Sequence, residues 1–163
     1  MGKCKSLNYL KRDVARIYSE LLKMNKKDGE IIGVRCYESA RIFCNVLKTL
    51  GYNVEVINGG YALSDNDNMR HSWVEQIVDC YGTSILIETT PHLFFHDLPF
   101  KELVEKMVIP PSDKRREKYK SLGNEMFLQV LKGYNEEINE DLIENYSSKL
   151  IEFYEKMKKE GEN

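Results

Sequence analysis

Cysteine is scarce in this chain. Cys4, Cys36, Cys44 and Cys80 are the four among 163 residues, and no two form a Cys-x-x-Cys pair. That sparseness argues against a zinc knuckle and against a disulfide scaffold. Proline is equally rare, with four residues, so no proline-rich linker divides the chain. No apolar run approaches the ~20 residues of a membrane span. The opening stretch Met1-Gly2-Lys3-Cys4-Lys5-Ser6 lacks the apolar segment of a secretory leader. Gly2 with Ser6 fits the short myristoylation pattern, a match too brief to carry weight. Charge of one sign is not in excess: 24 Lys and Arg against 26 Asp and Glu leave a net −2. A chain so balanced has no global attraction for nucleic acid. These absences predict a cytoplasmic protein without a nucleic-acid or membrane partner. The length suits one domain, 1–163, large enough to bury a core.

What is present begins with helical spacing. Leu7, Leu10, Val14, Ile17, Leu21 and Met24 step by three and four, and predict an amphipathic helix. A second helix is expected where Ala40, Phe43, Leu47 and Leu50 recur, with Gly51 as its cap. Residues 53–58 alternate and are β-branched, which predicts a strand broken by Gly59-Gly60. Ser64-Asp65-Asn66-Asp67-Asn68 reads as a polar loop without the glycine and glutamate of a calcium-binding EF-hand. A second strand is expected at 70–78, with His71, Trp73, Glu75 and Ile77 on one face. Tyr81-Gly82 reads as a turn, and a third strand at 83–88 stops at Thr89-Thr90-Pro91. Short connections make the sheet antiparallel, and helices before strands argue for α+β. The rest reads as helical: 100–108, then about 112–132, and a last helix marked by Leu142, Ile143, Tyr146, Leu150, Phe153 and Met157. The basic run Lys114-Arg115-Arg116-Glu117-Lys118 reads as a solvated helix face. The division expected is a core of about 1–98 and a helical C-terminal extension of about 99–163.

Cys36 opens the second helix. There, free N–H groups and the helix dipole favour negative charge, and a thiol loses its proton most easily. A histidine, His71, starts the second strand, and a carboxylate, Glu88, ends the third. Thiol acyl chemistry needs such a set: a thiolate to attack a carbonyl, an imidazole to carry the proton, and a group to orient the imidazole. Each residue also has a plainer reading. Cys36 lies on an apolar stripe, Trp73 and Val74 suit a strand core, and Glu88 suits a strand end.

The ordered set resembles the transglutaminase-like superfamily of papain-type folds. The residues that carry the resemblance are Cys36 with Ala40 four on, Leu47-Lys48-Thr49-Leu50-Gly51-Tyr52, and Val56-Ile57-Asn58-Gly59-Gly60. They continue with His71-Ser72-Trp73-Val74-Glu75 and Ile85-Leu86-Ile87-Glu88-Thr89-Thr90-Pro91. Together they span about 30–91.

The resemblance implies a transglutaminase-like core, a Cys-carrying helix packed on a small antiparallel sheet. It implies Cys36 as nucleophile, His71 as general base and acid, Glu88 as the orienting carboxylate, and Trp73 near the substrate. It implies an amide hydrolase working on a peptide or protein through an acyl-enzyme. Transglutaminase-type acyl transfer and a catalytically inactive binding module are its alternatives. Two departures stand out: the family's third member is usually Asp, and no Gln, Asn or Trp lies between Lys26 and Arg35 to help hold an oxyanion. The chemistry requires no cofactor. A metal site at His92, His96 and Asp97 is the competing class, although no glutamate follows His92 as in HExxH zincins.

Overall fold

The computed structural model describes residues 7–28, 36–64, 67–78, 83–95, 97–121 and 138–161. Among these residues it is an α+β fold of four α-helices and one five-stranded antiparallel sheet. Helix α1 spans Leu7–Asp28 and α2 spans Cys36–Thr49. Strands β1 (Val54–Ser64), β2 (Asp67–Val78) and β3 (Thr83–Ile87) follow. Then come a 3₁₀ turn at Pro91–Leu93, helix α3 (Phe100–Glu105) and strand β4 (Val108–Ile109). A second 3₁₀ turn at Lys114–Lys118 leads into β5 (Tyr119–Ser121), and α4 (Glu140–Lys159) comes last. The strand order is β4-β3-β2-β1-β5.

The two faces of the sheet bury different things. On one face Val54, Val74, Ile87 and Val108 join the main core with residues of α1, α2 and α4, among them Leu10, Ile17, Phe43, Leu47, Ile143 and Leu150. Truncating a buried residue such as Phe43 to alanine would cost about 3–5 kcal/mol. On the other face Ile57, Trp73, Leu86, Ile109 and Tyr119, one from each strand, form a second cluster. Both edge strands thus contribute to one small core that contains Trp73. Helix α2 ends as its sequence indicates. Gly51 takes φ 94°, with Gly51 N–H donating to Lys48 O and Tyr52 N–H to Leu47 O, each at 3.0 Å. This pair of bonds is the Schellman cap.

Several expectations need correction. Gly59-Gly60 does not break β1; the strand runs through it to Ser64. Gly59 is where β5 crosses close: it pairs with Ser121, and a Cβ there would overlap the Lys120 carbonyl oxygen. The expected polar loop is also mostly strand, since β1 and β2 extend to Ser64 and Asp67 and pair there past a register shift. The helix expected over 100–108 stops at Glu105, and Val108–Ile109 pairs with β3. The helix expected from about 112 is, through Ser121, a 3₁₀ turn and a strand. The chain after residue 98 is therefore not a purely helical extension: it supplies both edges of the sheet, and α4 buries Ile143, Tyr146 and Leu150 in the main core. The turn expected at Tyr81-Gly82 lies outside the described residues. No helix among the described residues is long and apolar enough to cross a membrane.

Candidate active site

The structure brings Cys36, His71 and Glu88 together. Cys36 is the first residue of α2, and its side chain is partly exposed. Three contacts fix this end of the helix. Ser39 Oγ donates to Thr89 O at 3.3 Å, one residue beyond Glu88. Asn139 N–H donates to Glu38 Oε1 at 3.0 Å. The Arg41 guanidinium grips Glu140 with two bonds, at 2.8 and 3.0 Å. The start of α4 therefore braces the start of α2.

His71 lies on β2, and Glu88 follows the last residue of β3, the strand beside it. Both are buried, at 0% and 1% exposure. His71 Nε2 and Glu88 Oε1 are 2.5 Å apart. The carboxylate is further saturated: Tyr119 OH donates to Oε1 at 2.9 Å, while Thr90 N–H and Thr90 Oγ1 donate to Oε2 at 2.9 and 3.2 Å. Glu88 N–H donates to Met107 O at 2.7 Å, which anchors its backbone to the chain entering β4. Among the described residues, His71 is the only group of opposite charge paired with Glu88.

With Nε2 committed to Glu88, the other ring nitrogen is left for sulfur. Nδ1 is buried and has no hydrogen bond of ordinary geometry, yet the Cys36 thiol acts on the imidazole both as a hydrogen-bond partner and as a charge. Burial by itself pulls the His71 pKa down. The Glu88 charge, then the bond to Cys36 and the bond to Glu88, outweigh burial and raise it from 6.5 to about 10. The imidazole is thus held as a cation between two potential anions.

Aromatic rings surround that cation. Phe94 meets the imidazole edge-on with centroids 5.1 Å apart, and Tyr61 does so at 6.1 Å. Trp73 stacks behind it at 6.0 Å. Trp73 is 1% exposed and sits in the second core cluster. It has no surface to offer a substrate, so its expected substrate-binding role gives way to packing behind His71. Tyr119 is the residue that sequence reasoning missed. Burial first, and then the Glu88 charge, push its hydroxyl pKa well up, so it remains a donor.

Other candidates separate cleanly. Cys44 is buried, with Sγ donating to Val54 O at 3.8 Å, and burial raises its pKa. Cys4, Cys80 and residues 29–35 lie outside the described residues. So does His96 of the alternative metal site. His92 Nδ1 and Tyr18 OH are hydrogen-bonded at 2.9 Å. Among the described residues no three His, Cys, Asp or Glu side chains cluster to hold a metal. No family model, curated protein or solved structure matches the chain.

Proposed function

We propose that this protein is a cysteine-dependent amide hydrolase with a transglutaminase-like, papain-type core, acting on a peptide or protein. The observation that carries the reading is His71 itself. One ring nitrogen is fixed by a fully hydrogen-bonded Glu88 carboxylate, and the other is left for the Cys36 thiol at the mouth of α2. A buried histidine held only for packing has no need of a carboxylate on one side and a half-exposed thiol on the other.

In this reading the proton already rests on His71, and the Cys36 thiolate sulfur attacks the amide carbonyl carbon, forming the S–C bond. The helix N-terminus, including the Cys36 N–H, favours the negative oxygen that develops. His71 passes the proton to the amide nitrogen as the C–N bond breaks, which releases the amine and leaves an acyl-enzyme. Water then loses a proton to the now neutral His71, attacks the acyl carbon and expels the Cys36 sulfur as a thiolate, which restores the resting pair. Glu88 holds the ring in place and stabilises its charged form throughout. A lysine amine in place of water would give acyl transfer by the same steps. A free catalytic thiol suits a reducing compartment such as the cytoplasm.

The test is the pH dependence of iodoacetamide labelling, cysteine by cysteine, for the parent and for His71→Ala. The reading expects Cys36 alone to label fast below pH ~7, and His71→Ala to abolish that advantage. Labelling of Cys36 no faster than of Cys4 or Cys80 would leave the fold as a binding scaffold.

A further inference from the structure

The site's surroundings carry an inference about substrate class. Four aromatic rings lie within 6.1 Å of the His71 ring: Tyr61, Trp73, Phe94 and Tyr119. They divide by exposure. Trp73 is buried, and Tyr119 is tied to Glu88 through its hydroxyl. Tyr61 and Phe94 are partly exposed, as is Cys36.

Tyr61 is engaged on several sides. Tyr119 meets it edge-on at 5.1 Å, Lys118 Nζ lies over its ring at 5.7 Å, and Phe94 leans on it at 4.1 Å with a tilt of 31°. Phe94 has ring contacts with Tyr61 and His71 alone among the described residues. It stands just past the 3₁₀ turn Pro91–Leu93, where its N–H donates to Pro91 O, so its backbone is fixed. A fixed, backed and partly exposed phenylalanine therefore stands beside the proton-carrying imidazole.

We propose that Phe94, backed by Tyr61, is a shelf that selects an aromatic side chain next to the scissile carbonyl of the substrate. The inference rests on the thiol–imidazole reading above. Aromatic rings prefer offset or edge-on partners and gain from them beyond area burial alone. An alanine in the same position would leave the Phe94 surface wet. The Lys118 ammonium sits over Tyr61, 5.7 Å from its ring centroid.

Two matched affinity reagents separate this inference from the reading beneath it: N-acetyl-phenylalanine and N-acetyl-alanine chloromethyl ketone. In each, the Cys36 thiolate sulfur displaces chloride from the chloromethyl carbon, forming an S–C bond while the proton stays on His71. Rates at Cys36 are read by intact-protein mass spectrometry, with iodoacetamide as the reference that carries no side chain. The phenylalanine reagent is expected to react roughly fivefold to tenfold faster than the alanine reagent. Phe94→Ala should bring that ratio, measured within the variant, close to one. Phe94→Tyr, which keeps a ring, should retain the preference. A parent ratio near one, or a ratio that survives Phe94→Ala, overturns the shelf while leaving the thiol–imidazole pair standing. Slow iodoacetamide labelling of the parent removes the pair, and the shelf with it.

Discussion

Tyr119 and His71 share one oxygen. The Tyr119 hydroxyl donates to Glu88 Oε1 at 2.9 Å, and His71 Nε2 lies 2.5 Å from the same atom. The two residues reach it from different strands, β5 and β2, with β1 between them in the sheet. Glu88 has one more rotatable bond than the aspartate expected by resemblance, and so more ways to turn from the imidazole. Tyr119 and Thr90 remove that freedom by occupying both carboxylate oxygens. The extra methylene is thus accommodated by an added donor.

Tyr119→Phe should therefore act through Glu88. The substitution keeps the ring against Trp73, 5.2 Å away and edge-on, and removes only the hydroxyl. A hydrogen bond to a charged group contributes about 1.5–3 kcal/mol, so Cys36 alkylation at pH 6 should slow by roughly tenfold or more. The thermal midpoint should fall only slightly. An unchanged alkylation rate with the protein folded would show that Thr90 alone fixes the carboxylate.

Glu88→Gln should lower the His71 pKa. The Glu88 charge is the largest influence raising it, and burial the largest opposing one. With the charge gone, burial acts with less opposition, and the imidazole should titrate near or below its ordinary value of about 6.5. NMR titration of the His71 ring in the parent and the variant measures this directly. A variant His71 still protonated at pH 9 would assign the raised pKa to something other than Glu88.

Gly59→Ala tests the close pairing of β5 with β1. The added methyl would meet the Lys120 carbonyl oxygen, a backbone atom that no side-chain rotation can relieve. Strand β5 must move, and Tyr119 moves with it. Overpacking of this kind costs about 1–3 kcal/mol, and a chain of this size loses roughly 2–4 °C per kcal/mol. A fall of several degrees in the thermal midpoint, together with the slowed Cys36 alkylation of Tyr119→Phe, is the expected result. A lowered midpoint with full reactivity would disconnect β5 from the site.

These outcomes turn on the parts of the fold that the sequence disclosed least. Helices α1, α2 and α4 were legible because each carries a long stripe at helical spacing, and Gly51 marks where α2 must turn. His71 and Glu88 were legible as a pair because adjacent antiparallel strands carry them to the same end of the sheet. Strands β4 and β5 were not, since two or three residues are too few to show a period of two. Gly59 looked like a break because a close backbone crossing and a chain turn both require a missing side chain. Tyr119 joined the site only through β5, 31 residues from Glu88, and no local pattern marks it.

Stability should also depend on the His71–Glu88 pair in a way whose sign is fixed. The folded pKa of His71 is raised from 6.5 to about 10. Its contribution is therefore fully present below pH ~6.5 and is lost as pH climbs through the folded value, because the unfolded chain releases the proton first. Denaturant unfolding between pH 6 and pH 10 should show stability declining steadily over that window. Cys44 adds a decline of its own at the alkaline end: burial keeps its thiol neutral in the folded state, while the unfolded chain ionises it. His71→Gln, neutral at every pH, isolates the histidine share. Its stability should be lower than the parent's at pH 6 and should approach it by pH 10, with only the alkaline part of the decline remaining. If the parent and His71→Gln curves run parallel across the window, His71 is not a cation in the folded protein, and the ion pair at the centre of the site is a neutral hydrogen bond instead.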